Sequence, residues 1–552
     1  MGTIADKLTY LGQTKSEIRD AILSKGVTVP TDTTFREYAG KIREIQAENE
    51  GEDPNVWTRP DDWLPIKHKV AVGDQKFVGL HAILEDSNFI SLSATGNYTV
   101  DWGDGVVENF ASGVQADHIY SYDIFPGTET TGGYRQAIVT VIPQAGHNLT
   151  GLNLQSKHRQ TGLNMFYSTG WLDIKISSQY IANLIVGGTT VTHGYLEAFY
   201  LAGSNLITDY TKLFSMCRVL ESVLFDDTSK GTTFSFMFES CAALKTIALP
   251  DTSKGGSFNY MFTGCNALST ILSLDTSSGV NFNYMFVGCG SLTTVPLLNT
   301  SNGIYFNNMF DSCTKLRNIP QFDTAKGIYF EYMFASCSSL KTIPLLNTAN
   351  GLGFNGMFMA CRSLQSIPLL NTSKGTRFSG MFFSCNNLKR VPLLDTSSGT
   401  NFGNMFEGCG SLKTVPLLNT SKGTVFVSMF MSCGSLQIIP LLDTSNGSDF
   451  SGMFLYCSIL QNVPRLNVAN GTKFNEMFSY CRSLSKATLR GLKNAISYEN
   501  CKISHTALVD IFNNLGSGVT ATTITITNNW GTSLLTAQER AIATDKGWTI
   551  IG

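Results

Sequence analysis

The chain has 552 residues, enough for several domains, yet its net charge is only −2 and charged residues make up 15%. That balance argues against nucleic acid as the main partner, because backbone phosphates demand a concentrated basic face. No apolar run of about 18 residues occurs, so no membrane span is expected. The opening MGTIADKLTYLGQTKSEIRD lacks the basic-then-apolar layout of a secretory signal.

In chain order, residues 1–46 read as a small helical anchoring module. Ile4, Leu8 and Leu11 share a face, and Thr14 with Glu17 and Thr34 with Glu37 make two capping boxes. So short a segment is marginal as a lone core, so partners are expected to stabilise it. Residues 47–62, acidic and broken by Pro54 and Pro60, read as a linker. Residues 63–145 alternate short strand-forming runs with turns such as Gly103-Asp104-Gly105, which predicts a β-sandwich. Residues 146–200 hold unevenly spaced apolar runs and are expected to cap a solenoid as irregular coils. Residues 491–552 predict an opposite, α/β cap: a helix over 507–515, a strand over 522–527, a helix over 536–545 and a strand over 548–551.

Between these ends, residues 201–490 repeat every 24 residues. Twelve of the 13 cysteines, Cys217 to Cys481, are 24 apart with no insertion or deletion. A fixed period of this size marks a solenoid. One unit reads F-x-x-M-F-x-x-C-x-x-L-x-x-I/V-P-L-L-D/N-T-S-x-G-x-x. Its apolar slots should line one continuous core, represented by Phe238, Phe262, Phe286, Leu292, Cys241, Cys265, Cys289 and Cys313. The L-x-x-I/V-P-L-L run is expected to be the strand of each coil. D/N-T-S-x-G is turn chemistry, with an Asx side chain bonding the backbone ahead and Gly free to take positive φ. Stacking at roughly 4.8 Å would bury what no coil can bury alone. The cysteines read as free core thiols, since the chain holds no CxxC and no zinc spacing.

No catalytic constellation stands out, and no cofactor or metal is expected. None of the seven histidines lies in HExxH or inside the regular repeats, and GxSxG and P-loop motifs are missing. The repeated Asp/Asn slot is better explained by turns than by paired catalytic carboxylates. Asp101 and Asp104 could bind calcium, but Asx bonding in a hairpin turn explains them more simply. The variable slots carry more signal. Phe236, Tyr260, Tyr284 and Tyr332, two residues after the repeated Phe, and Tyr305 and Tyr329, just before it, are expected to stack into an aromatic strip. Such a strip can bind sugar rings or protein loops; the competing explanation is ladder packing for stability alone. A row of Lys245, Arg317, Lys341, Lys389 and Lys413 is expected to keep one face soluble.

The repeat unit resembles the BspA-like leucine-rich repeats of bacterial and phage surface proteins, over about half of the chain. Tyr98-Thr99-Val100-Asp101-Trp102-Gly103-Asp104-Gly105, with His118 and Tyr120, resembles a PKD-type β-sandwich motif but lacks its usual phenylalanine. The N-terminal stretch is similar to the opening modules of tailed-phage structural proteins, and LLTAQERAIATDKGWTI to the ends of phage and bacterial repeat proteins. Together these resemblances imply a non-enzymatic fibre on a tailed-phage virion, made in the host cytoplasm. Residues 1–46 would attach it to other tail, baseplate or head proteins, and the solenoid would recognise a host-surface glycan or protein. They leave room for a homo-oligomer, a trimer included. The alternatives are a structural or decorating virion protein without a receptor and a bacterial BspA-like adhesin.

Overall fold

The computed structural model describes residues 57–127, 129–158, 169–188 and 192–552, together with Lys15, Ile18, Arg19 and Val29. The helical module expected over 1–46 and the linker residues 47–56 otherwise lie outside the described residues. The chain divides into two compact units, Met1–Gly255 with Thr270–Thr276, and Gly256–Ser269 with Ser277–Gly552.

The first unit is built on two facing sheets. Its strands are β1 (Lys76–Ile83), β2 (Phe89–Thr95), β3 (Tyr98–Asp101), β4 (Val107–Phe110), β5 (Gln115–Ile119), β6 (Arg135–Pro143), β7 (Gly151–Asn153), β8 (Trp171–Ser177), β9 (Asn183–Ile185), β10 (Ala198–Ala202) and β11 (Ser222–Phe225). One sheet runs β11-β10-β8-β1-β6-β3-β4 and the other β5-β2-β7-β9. The pairings β10–β11, β8–β10 and β7–β9 are parallel, as in stacked coils. Those around β1, β2, β3 and β6 are antiparallel, as in a sandwich. The domain boundary expected between 145 and 146 therefore falls inside both sheets: β1 pairs with β6 on one side and with β8 on the other. Strand β8 thus joins the antiparallel strands to the first parallel ones.

Strand β1 is buried on both faces, which explains its unbroken apolar run. Val78, Leu80 and Ala82 pack with Trp63, Ile66, Val70, Tyr134 and Leu172. On the other face Trp171 comes so close that a Cβ on Gly79 would lie 2.3 Å from its ring. Residues 57–62, expected as linker, cover this sheet. Trp57 Nε1 donates to Glu197 Oε2 at 3.0 Å, and Arg59 Nε to Asp173 Oδ2 at 3.1 Å. A tryptophan and a paired arginine outweigh the acidic, proline-broken composition around them. The first unit also contains β12 (Thr246–Ala248) and β13 (Thr270–Ser273), a parallel pair.

The second unit is dominated by regular coils whose main ladder is not where the sequence placed it. Four backbone hydrogen bonds join each step through the F-x-x-M-F-x-x segment. Phe306, Asn308, Phe310 and Ser312 donate to the carbonyls of Tyr329, Glu331, Met333 and Ala335 at 2.9–3.0 Å, and this pattern repeats from Phe258 to Tyr456. The L-x-x-I/V-P-L-L run, expected as the strand, is extended but hardly laddered in the central coils. Proline has no N–H to give, and Pro296, Pro320, Pro344, Pro368, Pro392, Pro416 and Pro440 all fall in that run. One main-chain bond survives in several steps, such as Lys389 N to Gln365 O at 3.0 Å. Where proline is absent, as in β11, β12 and β13, strands form. They also form in β14 (Asn462–Asn467), which pairs with β15 (Lys486–Arg490) and breaks register around Pro464.

Side chains complete the stack. Phenylalanines of successive coils lie nearly parallel, with centroids 5.6 Å apart for Phe306–Phe330 and 5.7 Å for Phe310–Phe334. The buried threonines from Thr300 to Thr444 each donate to the Asp or Asn carbonyl of the next coil, as from Thr372 Oγ1 to Asp395 O at 2.7 Å. Each cysteine thiol donates backward, as from Cys337 Sγ to Phe310 O at 3.1 Å. No disulfide joins the described cysteines, and burial pushes the thiols up, to about 12 for Cys433 and Cys501.

The C-terminal α/β cap matches its sequence pattern. β16 (Ile496–Ser497), β17 (Thr522–Thr525) and β18 (Trp548–Ile551) form a parallel sheet, with α1 (His505–Asn514) and α2 (Ala537–Thr544) as crossovers. Ser504 caps α1, and Thr536 with Glu539 forms a capping box on α2. Lys546 Nζ donates to Phe512 O, Asn513 O and Leu515 O, satisfying carbonyls at the end of α1.

Candidate functional site

The aromatic slots sit on the laddered segment, and its backbone decides what fits there. Two residues per coil take positive φ, the second after Phe and the one before Cys, as at Tyr284 (59°) and Gly288 (74°). Both donate to the next coil, Tyr284 N to Asn307 O and Gly288 N to Asp311 O. Left-handed backbone suits Gly and Asn and strains a bulky side chain by about 1 kcal/mol or more. In the later coils the first slot holds Gly356, Gly380, Asn404, Ser428, Gly452 and Glu476. Earlier it holds Phe236, Tyr260, Tyr284, Asn308 and Tyr332. The early aromatics are thus kept against the local preference.

Within the second unit, rings in both slots stack from coil to coil. Tyr260 and Tyr284 stack at 4.4 Å and are half-buried. Tyr305 and Tyr329, in the slot before Phe, stack at 5.4 Å, with Tyr305 exposed. Asn308 interrupts the first row by bonding to Asp311. Tyr332 then lies over Gly356, where a Cβ would meet its ring at 2.3 Å. Phe236 belongs to the first unit, where Lys212 Nζ sits 5.4 Å from its ring centre. The expected core residues Phe238, Phe262, Phe286, Leu292, Cys241, Cys265, Cys289 and Cys313 are all fully buried.

Two features escaped the sequence. The first is Glu331, between Tyr329 and Tyr332. Its Oε1 pairs with Arg377 at 3.3 Å, while its buried Oε2 has no hydrogen-bond partner among the described residues. A buried carboxylate oxygen left unpaired is costly. Its slot otherwise favours Asn or Ser: Asn259, Asn283, Asn307, Asn355 and Ser379. The lone acid there was the available signal. The second is Tyr456 stacked on Tyr480 at 4.5 Å, both about half exposed, in the slot before Cys that holds Gly, Ser or Ala in the preceding coils from 240 to 432.

The hairpin acids are engaged locally. Asp101 Oδ1 accepts from Gly103 N, and Asp104 Oδ1 accepts from Val106 N, both at 3.0 Å. Asp104 Oδ2 lies 2.7 Å from His118 Nε2, and the His118 ring stacks on Trp102. Among the described residues no group of three or more His, Cys, Asp or Glu side chains is placed to hold a metal. The repeated Asp/Asn side chains close their own turns, as in Ser397 N to Asp395 Oδ1 at 3.0 Å.

The family described as "Mycoplasma protein of unknown function, DUF285" matches residues 204–297, 232–344, 293–393, 352–438 and 376–491, together more than half of the chain. The chain belongs to this family. Its matched region folds as a leucine-rich-repeat solenoid. Among solved structures it is similar to a leucine-rich repeat protein from Eubacterium ventriosum (14% identity, 58% of this chain and 92% of that one, TM-score 0.31). It is also similar to the functional domain of InlJ from Listeria monocytogenes, which includes a cysteine ladder (13% identity, 65% and 69%, TM-score 0.16). A third likeness is to Toll in the Drosophila Toll–Spatzle complex (14% identity, 63% and 57%, TM-score 0.19). No curated protein matches the chain.

Proposed function

We propose that this chain is a non-enzymatic recognition fibre of a tailed-phage particle, in which the early regular coils bind a hydroxyl-rich ligand such as a host-surface glycan. One observation carries the binding role: tyrosines occupy positive-φ slots that later coils give to Gly, Asn and Ser, and an unpaired Glu331 carboxylate oxygen lies beside them. Aromatic faces supply stacking area for sugar rings. The virion assignment rests on the resemblance of the two chain ends to phage structural proteins. In this reading residues 1–46 attach to the particle and a PKD-like sandwich caps the array. Binding of the full chain to host cells or a glycan array tests it. Tyr260→Ala with Tyr284→Ala, and separately Tyr332→Ala with Glu331→Gln, should each lose binding; unchanged binding in both would sink the receptor role.

A second reading, a decorating protein without a receptor, is favoured by the close stacking of half-buried Tyr260 on Tyr284, which stabilises the ladder by itself. It expects those variants to melt earlier and to differ in nothing else.

A further inference from the structure

One face of the second unit carries an apolar ridge that its core does not use. The two leucines after each proline point opposite ways. Leu394 and Leu418 are 1% and 2% exposed, whereas Leu345, Leu369, Leu393, Leu417 and Leu441 are 57–62% exposed. Val391 and Leu394, three residues apart, are both buried, so the run departs from strict strand alternation between them and leaves Pro392 half-buried and Leu393 exposed. Gln321 and Arg465 occupy the ridge slot at either end of this five-leucine run. Exposed rows flank it. Arg317, Lys341, Lys389, Arg390 and Lys413 lie on the side where the run begins, and Asp323, Asp395 and Asp443 where it ends. Hydrogen bonds from Ser397 and Ser445 hold Asp395 and Asp443 below the ordinary carboxylate range, so both are charged at neutral pH.

We infer that this ridge is the interface of a parallel homodimer. Five neighbouring leucines expose several hundred Å² of apolar surface, a size that marks an interaction site on a soluble protein. With their prolines and flanking rows they approach the roughly 800 Å² per partner of a standard interface. A second copy is the occupant whose leucines recur at the same interval, so every coil finds its equivalent.

Charge selects the orientation. An isologous face-to-face contact needs a twofold axis in the interface plane. An axis along the strand direction sets basic row on basic row. An axis along the stacking direction sets the basic row of one copy against the acidic row of the other. The coil from Leu388 to Asp395 holds both signs, so Lys389 and Arg390 face the second copy's Asp395. The inference stands independently of the aromatic site.

Sedimentation of the full chain tests it. The expected result is a dimer at micromolar concentration. Leu369→Lys with Leu393→Lys and Leu417→Lys should give a monomer with an unchanged circular dichroism spectrum, because the altered side chains lie outside the chain's own core. A wild-type chain that stays monomeric at about 100 µM overturns the proposal, and so does a triple variant that dimerises as well as wild type. Lys389→Glu with Arg390→Glu should weaken association about tenfold, and adding Asp395→Lys should restore it. Orientation is read from oxidation of Leu345→Cys and Leu441→Cys proteins, the native thiols being buried. Each should cross-link to its own kind. Cross-linking only in a mixture of the two overturns the parallel arrangement.

Discussion

The two units solve the same problem, hydrogen bonding a stacked backbone, by different means. In the first, single side chains do it once each. His193 takes Thr169, Gln155 and the Val186 carbonyl as partners, Ser178 bonds to the Leu149 carbonyl, and Arg59 satisfies a buried Asp173. In the second, one arrangement is translated coil by coil. Periodicity removes the need for individual solutions, and with it the need to bury ionisable groups. The first unit therefore concentrates buried histidine and aspartate, while the regular coils bury Phe, Met, Leu, Cys and Thr.

The contrast is broken most severely by opening the repeated core. Phe378→Ala removes a ring stacked between Phe354 and Phe402 and should cost about 3–5 kcal/mol, seen as an early transition in a thermal melt. The next effect belongs to the first unit and is driven by pH. Burial lowers His193 to about 4 and His81 to about 3. Both are neutral when folded, so the unfolded chain binds more protons below its own value near 6.5. Stability is therefore full above pH 6.5 and falls as pH drops toward 4. The loss should be on the order of 3 kcal/mol for His193 alone. Hydrogen exchange at pH 7 and pH 4.5 should show the sheet around β8 opening before coils 300–450; simultaneous opening would refute the contrast. Thr372→Val keeps the shape but removes the bond to Asp395 O, and should cost about 1 kcal/mol by denaturant titration. The smallest effect is a gain. Ser384→Gly, at φ 56°, should raise stability by a few tenths of a kcal/mol, because glycine relieves the left-handed backbone at some cost in unfolded entropy.

These same differences decide what the sequence could reveal. The period, the buried Phe, Cys and Leu slots, the Asx turns and the C-terminal cap were all legible, because each residue's neighbour is its own copy 24 positions away. Strand placement was not. The apolar run looks like a strand, but its proline forbids the ladder, which moves to a segment whose Met and paired Phe look like core alone. The exposed ridge was hidden for a related reason, since only geometry tells which of two adjacent leucines faces water. In the first unit the packed Trp57 and Arg59 were hidden because their partners, Glu197 and Asp173, lie more than 100 residues away. At the aromatic site the tyrosines were legible as a pattern. Glu331 was not, because its significance lies in an oxygen that finds no partner.

The uninterrupted register has a consequence for inheritance. Across the central coils each bond between coils recurs one period onward, so Phe378 bonds Asn401 just as Phe354 bonds Arg377. Excising or duplicating any 24 consecutive residues there returns every donor to an equivalent acceptor and leaves both capped ends untouched. Recombination between repeats can therefore change copy number in whole increments, and the array's reach becomes a trait that selection can adjust without inventing new contacts.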